Sequence, residues 1–537
     1  MRDRSATAIW LLAVLALALA VRLPRILATD FPINDGGIFF VMAGELSDAH
    51  LALPAETTYN NAHIPFAYPP LGLYLAAALH LATGCPILTL ERILPLLANL
   101  LTAVAFFFLA RRLFPSASTA GLAALLFVTL PRSYEWLIAG GGLTRSFGFL
   151  FLCLAVFFGH RTLVGRHRGS VVPAGMCLAF AILSHPEMGL LAAAWLLVLT
   201  AVVGLNRWTM ARAVETAAVG ALLVAPWLAT VLARHGLSPF LGAAGNSGFW
   251  LRGSLARLLS RQATGEIGLP IVACLALLGT VVSVARREFL LPGWLLAAFV
   301  LTPRAALTPA TAPLALLAAL ALAGVVAPGL ASALAHPRAA AHAEHRGSPG
   351  RPAVGEGLRN LAYGAVIMVL VGYTLVVSNL ARTDEGWGTM HSVPRPEREA
   401  MAWVAAHTPA TSRFVVASSA TWWPADPVDE WFPALTSRAS VVAPNGAEWL
   451  QRGEFKRLED AYTSLKRCSA VDGPCLDALS TKFGVGFSHV YVSKLAVEGA
   501  SGRPRASLGD SPGFVVVYDG PGATVYARRQ REFLGSP

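Results

Sequence analysis

Ten ionisable residues fall close to the ends of long apolar runs: Arg22, Asp35, Glu45, His63, Glu135, Arg145, His185, Glu187, Arg252 and Arg304. A charge at the edge of hydrocarbon is costly unless it faces a cavity or a partner, so each is a candidate functional group. If the apolar runs cross a bilayer in the order argued below, these residues converge on one face. Carboxylates and guanidiniums gathered there suit a lipid phosphate whose head group projects outward. A carboxylate can accept the proton of an attacking hydroxyl, and Arg can hold a phosphate through charge-assisted, bidentate bonds.

Plainer roles compete with each. Asp35 stands in Asn34-Asp35-Gly36-Gly37, a string of turn formers. Arg304 follows Pro303 and suits an interfacial anchor. His185-Pro186-Glu187 could simply turn one helix into the next. Glu135 and Arg145 flank a glycine triplet that would serve close helix packing. Arg252, Arg257 and Arg261 recur at near-helical spacing on an outside loop, which fits either head-group binding or a solvated face.

The elements that must position these groups follow from composition. Of 537 residues, 55% are hydrophobic and 14% charged, against about 25% charged in a soluble domain. Lipid must therefore solvate much of the chain. The formal charge of +11 comes from short Arg clusters between apolar runs, the pattern of cytoplasmic loops. It forms no basic stripe with interleaved aromatics, which excludes nucleic acid.

Hydropathy predicts about 11 transmembrane helices of roughly membrane-spanning length. The first, Ile9 to about Leu27, follows Arg2 and Arg4. It lacks a small-residue cleavage site, so it reads as a retained helix rather than a signal peptide. The loop from Ala28 to Ala67 carries Asp30, Asp35, Glu45, Asp48 and Glu56 and no Lys or Arg, and so belongs outside. Pro69 to Gly84 is short for a span; as an interfacial helix it leaves Arg111-Arg112 and Arg161–Arg168 inside. Further spans are expected near 90–110, 118–138, 146–160, 171–184, 187–205, 213–232, 267–285, 289–302, within 308–335 and near 359–380. Pro337–Gly357 reads as an inside loop rich in Ala, Gly, Pro, His and Arg. The expected organisation is a membrane domain over 1–380, with an outside first loop over 28–89, and a soluble domain over 381–537.

After Ala381 charged and turn residues return. Pro396–His407 has helical spacing, and Phe414–Ser418, His489–Ser493 and Phe514–Tyr518 read as strands. Tyr518–Val525 reads as a hairpin turning at Asp519-Gly520. The fold class is thus a polytopic α-helical membrane protein with a C-terminal extracytoplasmic α/β domain. Trp422-Trp423 and Glu430-Trp431 belong either to its core or to a sugar-stacking surface. Cys468 and Cys475, the two cysteines of that domain, can pair in an oxidising compartment. Cys153, Cys177 and Cys274 lie in apolar spans and read as packing residues. His489 is the lone nearby imidazole, which argues against a zinc site.

The order of features also resembles a family. A first helix ending in Arg22 leads to Asp35-Gly36-Gly37 and FFVMAGELSDAHLALP. A surface helix (YPPLGLYLAAALHLATG) and a span containing ERILPLLANLLTAVAFFFLARRLF follow. This resembles the GT-C membrane glycosyltransferases, such as protein O-mannosyltransferases, lipid A aminoarabinose transferases and oligosaccharyltransferase catalytic subunits. It is strongest over roughly the first 115 residues. GGGLTRSFGFLF, LSHPEMGL, DEWFPALTSR and GAEWL are similar to uncharacterised bacterial members.

The resemblance implies that Asp35 is catalytic and that Arg92 matches the Arg near the start of the second helix. It implies transfer of a sugar from a polyprenyl-phosphate donor to a glycan, lipid or protein acceptor at the outer face of a bacterial inner or plasma membrane, with the amino terminus cytoplasmic. No organic cofactor is implied. Many relatives place a second acidic residue beside the Asp, whereas Gly36 follows here, and a lone carboxylate is a poor divalent-cation site. A transporter or flippase is the alternative; it would carry ionisable groups at the midplane on broken, repeated helices, and no repeat is visible.

Overall fold

The computed structural model describes residues 2–246, 256, 263–266, 269–333, 356–380, 390–451, 453–495, 507–509 and 511–529. Arg252, Arg257, Arg261 and the expected loop over 337–355 lie outside them. Helix α1 (Arg2–Leu27) leads into α2 (Gly37–Asp48), a hairpin of β1 (Glu56–Thr57) and β2 (Ile64–Pro65), and α3 (Leu71–Thr83). With 13 residues and a length of about 20 Å, α3 is too short for a hydrocarbon core of about 30 Å.

The bundle continues with α4 (Ile87–Leu113), α5 (Ala117–Thr129), α6 (Gly142–Leu163), α7 (Val171–Ser184), α8 (Pro186–Val203), α9 (Arg207–His235) and α10 (Ser238–Asn246). It closes with α11 (Ile271–Ala285), α12 (Leu290–Leu301), α13 (Leu307–Ala321) and α14 (Glu356–Leu380). Among the described residues, six helical stretches are long and apolar enough to cross a membrane: Arg4–Leu27, Ile87–Leu113, Gly142–Leu163, Pro186–Val203, Arg207–His235 and Leu307–Ala333. Four other expected spans, α5, α7, α11 and α12, are apolar helices of 12–15 residues, so helix length alone does not make eleven crossings. Expected to reach 138, α5 stops at Thr129. Pro131 follows, and the residue before a proline is pushed out of the helical region; Leu130 has ψ 124°.

Small residues set how closely these helices approach. A methyl on Gly279 would lie 2.0 Å from the Leu317 carbonyl oxygen, and one on Gly175 2.7 Å from that of Thr216. Such contacts replace the hydrophobic drive that lipid removes. Between α8 and α12, Trp195 and Trp294 stack at 5.2 Å, each indole N–H donating over 3.0 Å to the other's backbone carbonyl. Neither donor is then left unpaired in hydrocarbon.

The C-terminal domain contains α15 (Arg395–His407), β3 (Arg413–Ala417), α16 (Pro427–Thr436), β4 (Ala439–Ser440), α17 (Glu454–Lys466), α18 (Gly473–Phe483), β5 (His489–Ser493), β6 (Phe514–Asp519) and β7 (Ala523–Arg528). Its sheet has the order β4-β3-β5-β7-β6; β3 runs parallel to β4 and β5, and the remaining pairs are antiparallel. Alternation puts Val415, Val490 and Val492 with the apolar side chains of α17 and α18, and Phe414, Val416 and Tyr491 with those of α15 and α16. The expected helix and strands are present, shifted by at most one residue. A disulfide joins Cys468 to Cys475 where α17 turns into α18. Cys153 and Cys177 are buried, whereas Cys274 is exposed on the bundle surface rather than packed within it.

Candidate active site

The first loop meets the C-terminal domain along a continuous seam. Asn34 N donates to the His391 carbonyl at 2.7 Å, Ile33 bridges Ser392, and Arg398 forks onto both Asp30 oxygens at 2.7 Å. Phe31 packs edge-on against Trp431 at 4.6 Å, and the Trp431 indole donates to the Asn34 carbonyl at 2.8 Å. Asp35 follows directly, so its turn is wedged between both domains.

The other wall of this wedge is the glycine triplet before α6. Gly140 N donates to the Ile33 carbonyl at 2.9 Å, and Gly141 N lies 3.2 Å from the Asp35 carbonyl and 3.1 Å from Oδ1. A Cβ on Gly140 would stand 2.0 Å from the Asp35 carbonyl oxygen, so the contact requires glycine. One turn into α6, Arg145 Nη2 meets Asp35 Oδ1 at 2.9 Å and Oδ2 at 2.7 Å, and its Nε donates to the Trp136 carbonyl at 3.1 Å. The Asp35 and Arg145 side chains are 14% and 20% exposed, enough for the pair to remain reachable by a ligand.

A second guanidinium stands nearby. Arg304, between α12 and α13, lies 3.9 Å from Glu448 and over the Trp423 ring at 5.8 Å. Enclosure together with Arg145 and Arg304 pushes the His185 imidazole down to about 3, so it is neutral at physiological pH. Glu187 interacts electrostatically with the same two Arg residues. Burial raises the Glu448 carboxyl, and Arg304 opposes that shift. Tyr68 joins the group: its hydroxyl lies 3.2 Å from Thr144 Oγ1, and its ring packs edge-on against Trp449 at 5.5 Å. Trp422 stays 54% exposed beside Trp136, while Trp423 and Trp431 are buried.

The structure therefore brings together Asp35, Arg145, His185, Glu187 and Arg304. The remaining candidates are engaged elsewhere. Arg22 is fully buried and binds the Ala18 and Val128 carbonyls and Asn99 Oδ1, tying α1 to α4 and α5. Arg92 donates to the carbonyls of Ile26 and Thr29, holding the exit of α1. Glu45 accepts from Thr58 N at 2.6 Å, Glu135 pairs with Arg25 at 3.5 Å, and the exposed His63 pairs with Glu56 at 3.0 Å.

Three acidic residues of this region lie outside the set of candidate site residues read from the sequence. Glu430 accepts from Gly36 N at 2.8 Å, Glu448 faces Arg304, and Glu91 is fully buried with neither oxygen hydrogen-bonded among the described residues. Glu91 could have been singled out as a lone carboxylate in an apolar span; Glu430 and Glu448 lie in the DEWFPALTSR and GAEWL runs, where nothing local marks them as facing the membrane domain. The donor set does not fit a divalent cation. The Arg145 guanidinium occupies both Asp35 oxygens, and among the described residues no three His, Cys, Asp or Glu side chains are placed to hold a metal.

Beside the site an apolar cavity of about 330 Å³ lies between α3, α7 and α9, lined by Pro70, Leu71, Tyr74, Leu183, Leu223 and Trp227 among others. Pro70 is two residues from Tyr68 and Leu183 two from His185, so the cavity adjoins the polar cluster.

The family model described as dolichyl-phosphate-mannose-protein mannosyltransferase matches residues 67–229, less than a third of the chain. No curated protein matches in sequence. Solved structures match over nearly the whole length. Archaeal oligosaccharyltransferase AglB from Archaeoglobus fulgidus, in complex with an inhibitory peptide and a dolichol-phosphate, has a TM-score of 0.58 at 13% identity, covering 91% of this chain and 69% of that one. ArnT from Cupriavidus metallidurans in the apo state has a TM-score of 0.54 at 15% identity, covering 97% and 98%. Arabinofuranosyltransferase AftD from Mycobacteria has a TM-score of 0.53 at 15% identity, covering 98% and 41%. With the family-model match lying across α3 to α9 and likeness along nearly the whole of this chain, it shares the fold of AglB, ArnT and AftD.

Proposed function

We propose that this protein transfers a sugar from a polyprenyl-phosphate donor to an acceptor hydroxyl or amide at the outer membrane face, with Asp35 as the base. The observation that carries this reading is the Asp35–Arg145 pair, set beside Arg304 at the junction of the two domains. The acceptor's nucleophilic atom attacks the anomeric carbon while the bond from that carbon to the phosphate oxygen breaks. Asp35 takes the acceptor's proton. The negative charge left on the phosphate is held by the guanidinium groups of Arg145 and Arg304. The adjoining apolar cavity suits the first isoprene units of the donor, and the dolichol-phosphate bound to AglB supports that chemistry. Trp422, exposed near Arg145, offers a face for a sugar ring.

The test is transfer of radiolabelled sugar from purified polyprenyl-phosphate donors by the protein in lipid nanodiscs. Arg304→Ala should raise the donor KM roughly tenfold, the order expected when a phosphate loses one charged hydrogen-bond partner. If the wild-type protein consumes none of a panel of lipid-linked sugars, the glycosyltransferase reading is wrong.

The same reading requires Asp35 to face outward. Cysteine scanning in intact cells should label positions in 28–67 and beyond 390 from outside and positions in 337–355 from inside. Labelling of the C-terminal domain from the cytoplasm overturns the orientation.

A further inference from the structure

We propose that Glu430, supplied by the C-terminal domain, is a positioning residue for Asp35. The inference rests on the functional reading above and adds to it a part for the soluble domain. One peptide bond, that between Asp35 and Gly36, is held at both ends. Its carbonyl accepts from Gly141 N at 3.2 Å on the membrane side. Its N–H donates to Glu430 Oε1 at 2.8 Å on the other. With the peptide plane fixed by two domains, the direction in which the Asp35 side chain leaves the backbone is fixed as well.

Glu430 is itself held. It is 3% exposed, its Oε2 accepts from Asn445 Nδ2 at 2.9 Å, and its backbone carbonyl accepts from the Tyr59 hydroxyl at 2.7 Å. A Cβ on Gly37 would lie 2.8 Å from that same carbonyl, and one on Gly36 3.1 Å from the Trp431 ring. The Gly36-Gly37 pair therefore exists so that α16 can close onto the loop. Gly36 also needs its φ of 133°, which is strained for any residue with a side chain. A hydrophobic residue at position 430 would leave the Gly36 N–H and the Asn445 amide without this acceptor, a cost borne where the two domains meet.

Charge adds a second effect. Asp35, Arg145, Glu448 and Glu91 surround Glu430 from the first loop, α6, the segment before α17 and α4, and Tyr59 caps its backbone. Burial, then the like charge of Asp35, raises the Glu430 carboxyl to about 8. Near neutral pH it is mostly uncharged and leaves the Asp35–Arg145 pair undisturbed. As pH rises through that range it ionises and places a second negative charge beside the Asp35–Arg145 pair.

The experiment compares Glu430→Ala, Glu430→Gln and Asp35→Asn in the full-length protein in nanodiscs, reading kcat, KM and the pH-rate profile. Glu430→Ala should lower kcat by about 10²-fold, the cost of misplacing a reacting group by about 1 Å, with donor KM little changed. Glu430→Gln can still accept from Gly36 N, with the Asn445 amide turned over, and should restore most of kcat at pH 7. It cannot ionise, so a change in rate that accompanies ionisation of Glu430 near pH 8 in wild type is expected to be absent in this variant. If Glu430→Ala keeps kcat within about twofold of wild type while Asp35→Asn is inactive, this inference fails and the functional reading stands. If Asp35→Asn is active, the functional reading itself fails. Should Glu430→Ala misfold, Glu430→Leu, which keeps most of the volume but accepts nothing from Gly36 N, takes its place: wild-type kcat in a folded Glu430→Leu protein overturns the proposal, and a loss like that expected for Ala sustains it.

Discussion

The Asp35→Asn protein is expected to fold and insert normally and to transfer sugar about 10²–10⁴-fold more slowly, the usual cost of losing a general base. Asn is isosteric and keeps an oxygen to accept from Gly141 N, which lies 3.1 Å from Oδ1. It also suits a turn as well as Asp does. What it lacks is the lone pair that takes a proton at neutral pH. Arg145 loses its counter-charge, but its side chain is 20% exposed and its Nε keeps the Trp136 carbonyl. The loss of stability should therefore be far smaller than for a fully buried pair, where removing one partner costs about 3–5 kcal/mol. Detergent melting and expression are the controls. A stable Asp35→Asn protein that transfers sugar at the wild-type rate would falsify the assignment of the base.

Gly140→Ala should be nearly as damaging to turnover although the residue touches no substrate. The added methyl would lie 2.0 Å from the Asp35 carbonyl oxygen and 3.2 Å from Pro32 Cβ. Both obstacles belong to the tightly held first loop, so no flexible side chain can yield. Either the triplet or the base turn must move by the order of 1 Å, enough to cost about 10²-fold in rate. Overpacking of this kind typically costs about 1–3 kcal/mol of stability as well. Gly364→Ala is the matching control: it lies in α14 with nothing within 4 Å of its added methyl. Equal activity of the two variants would show that the approach of Gly140 to Asp35 does not aim the base.

The glycine triplet shows how far residues can be read without coordinates. Close packing was the ready explanation for Gly140-Gly141-Gly142, and close packing is what the first two do, though against the loop carrying Asp35 rather than against another helix. Gly142 turns the chain into α6 beneath the Leu137 carbonyl. Arg92 illustrates the opposite case. Its place at the start of the second long helix singled it out, yet its guanidinium is taken up by two backbone carbonyls at the end of α1. Arg145, a candidate only for its place three residues after the glycine triplet, is the residue that meets Asp35.

What the amino-acid sequence determined by itself are the properties set within a window of one element. Apolar runs longer than any soluble helix needs place the membrane helices, and two-residue alternation with Asp-Gly punctuation places β5, β6 and β7. An Asp in a run of turn residues, after the first span, marks the proposed base. Tertiary structure alone decided which partners that Asp has. Asp35 and Arg145 are 110 residues apart, and Gly36 and Glu430 are 394 apart. No local periodicity encodes pairings at such distances. Hydropathy reports how much each segment prefers lipid, and that preference is nearly the same for every rotation of a helix about its axis. Which face turns inward, and hence which Arg reaches the carboxylate and which merely ties a helix end, depends on steric fit at glycines such as Gly140 and Gly175. That fit exists only once the helices and the C-terminal domain have been brought together.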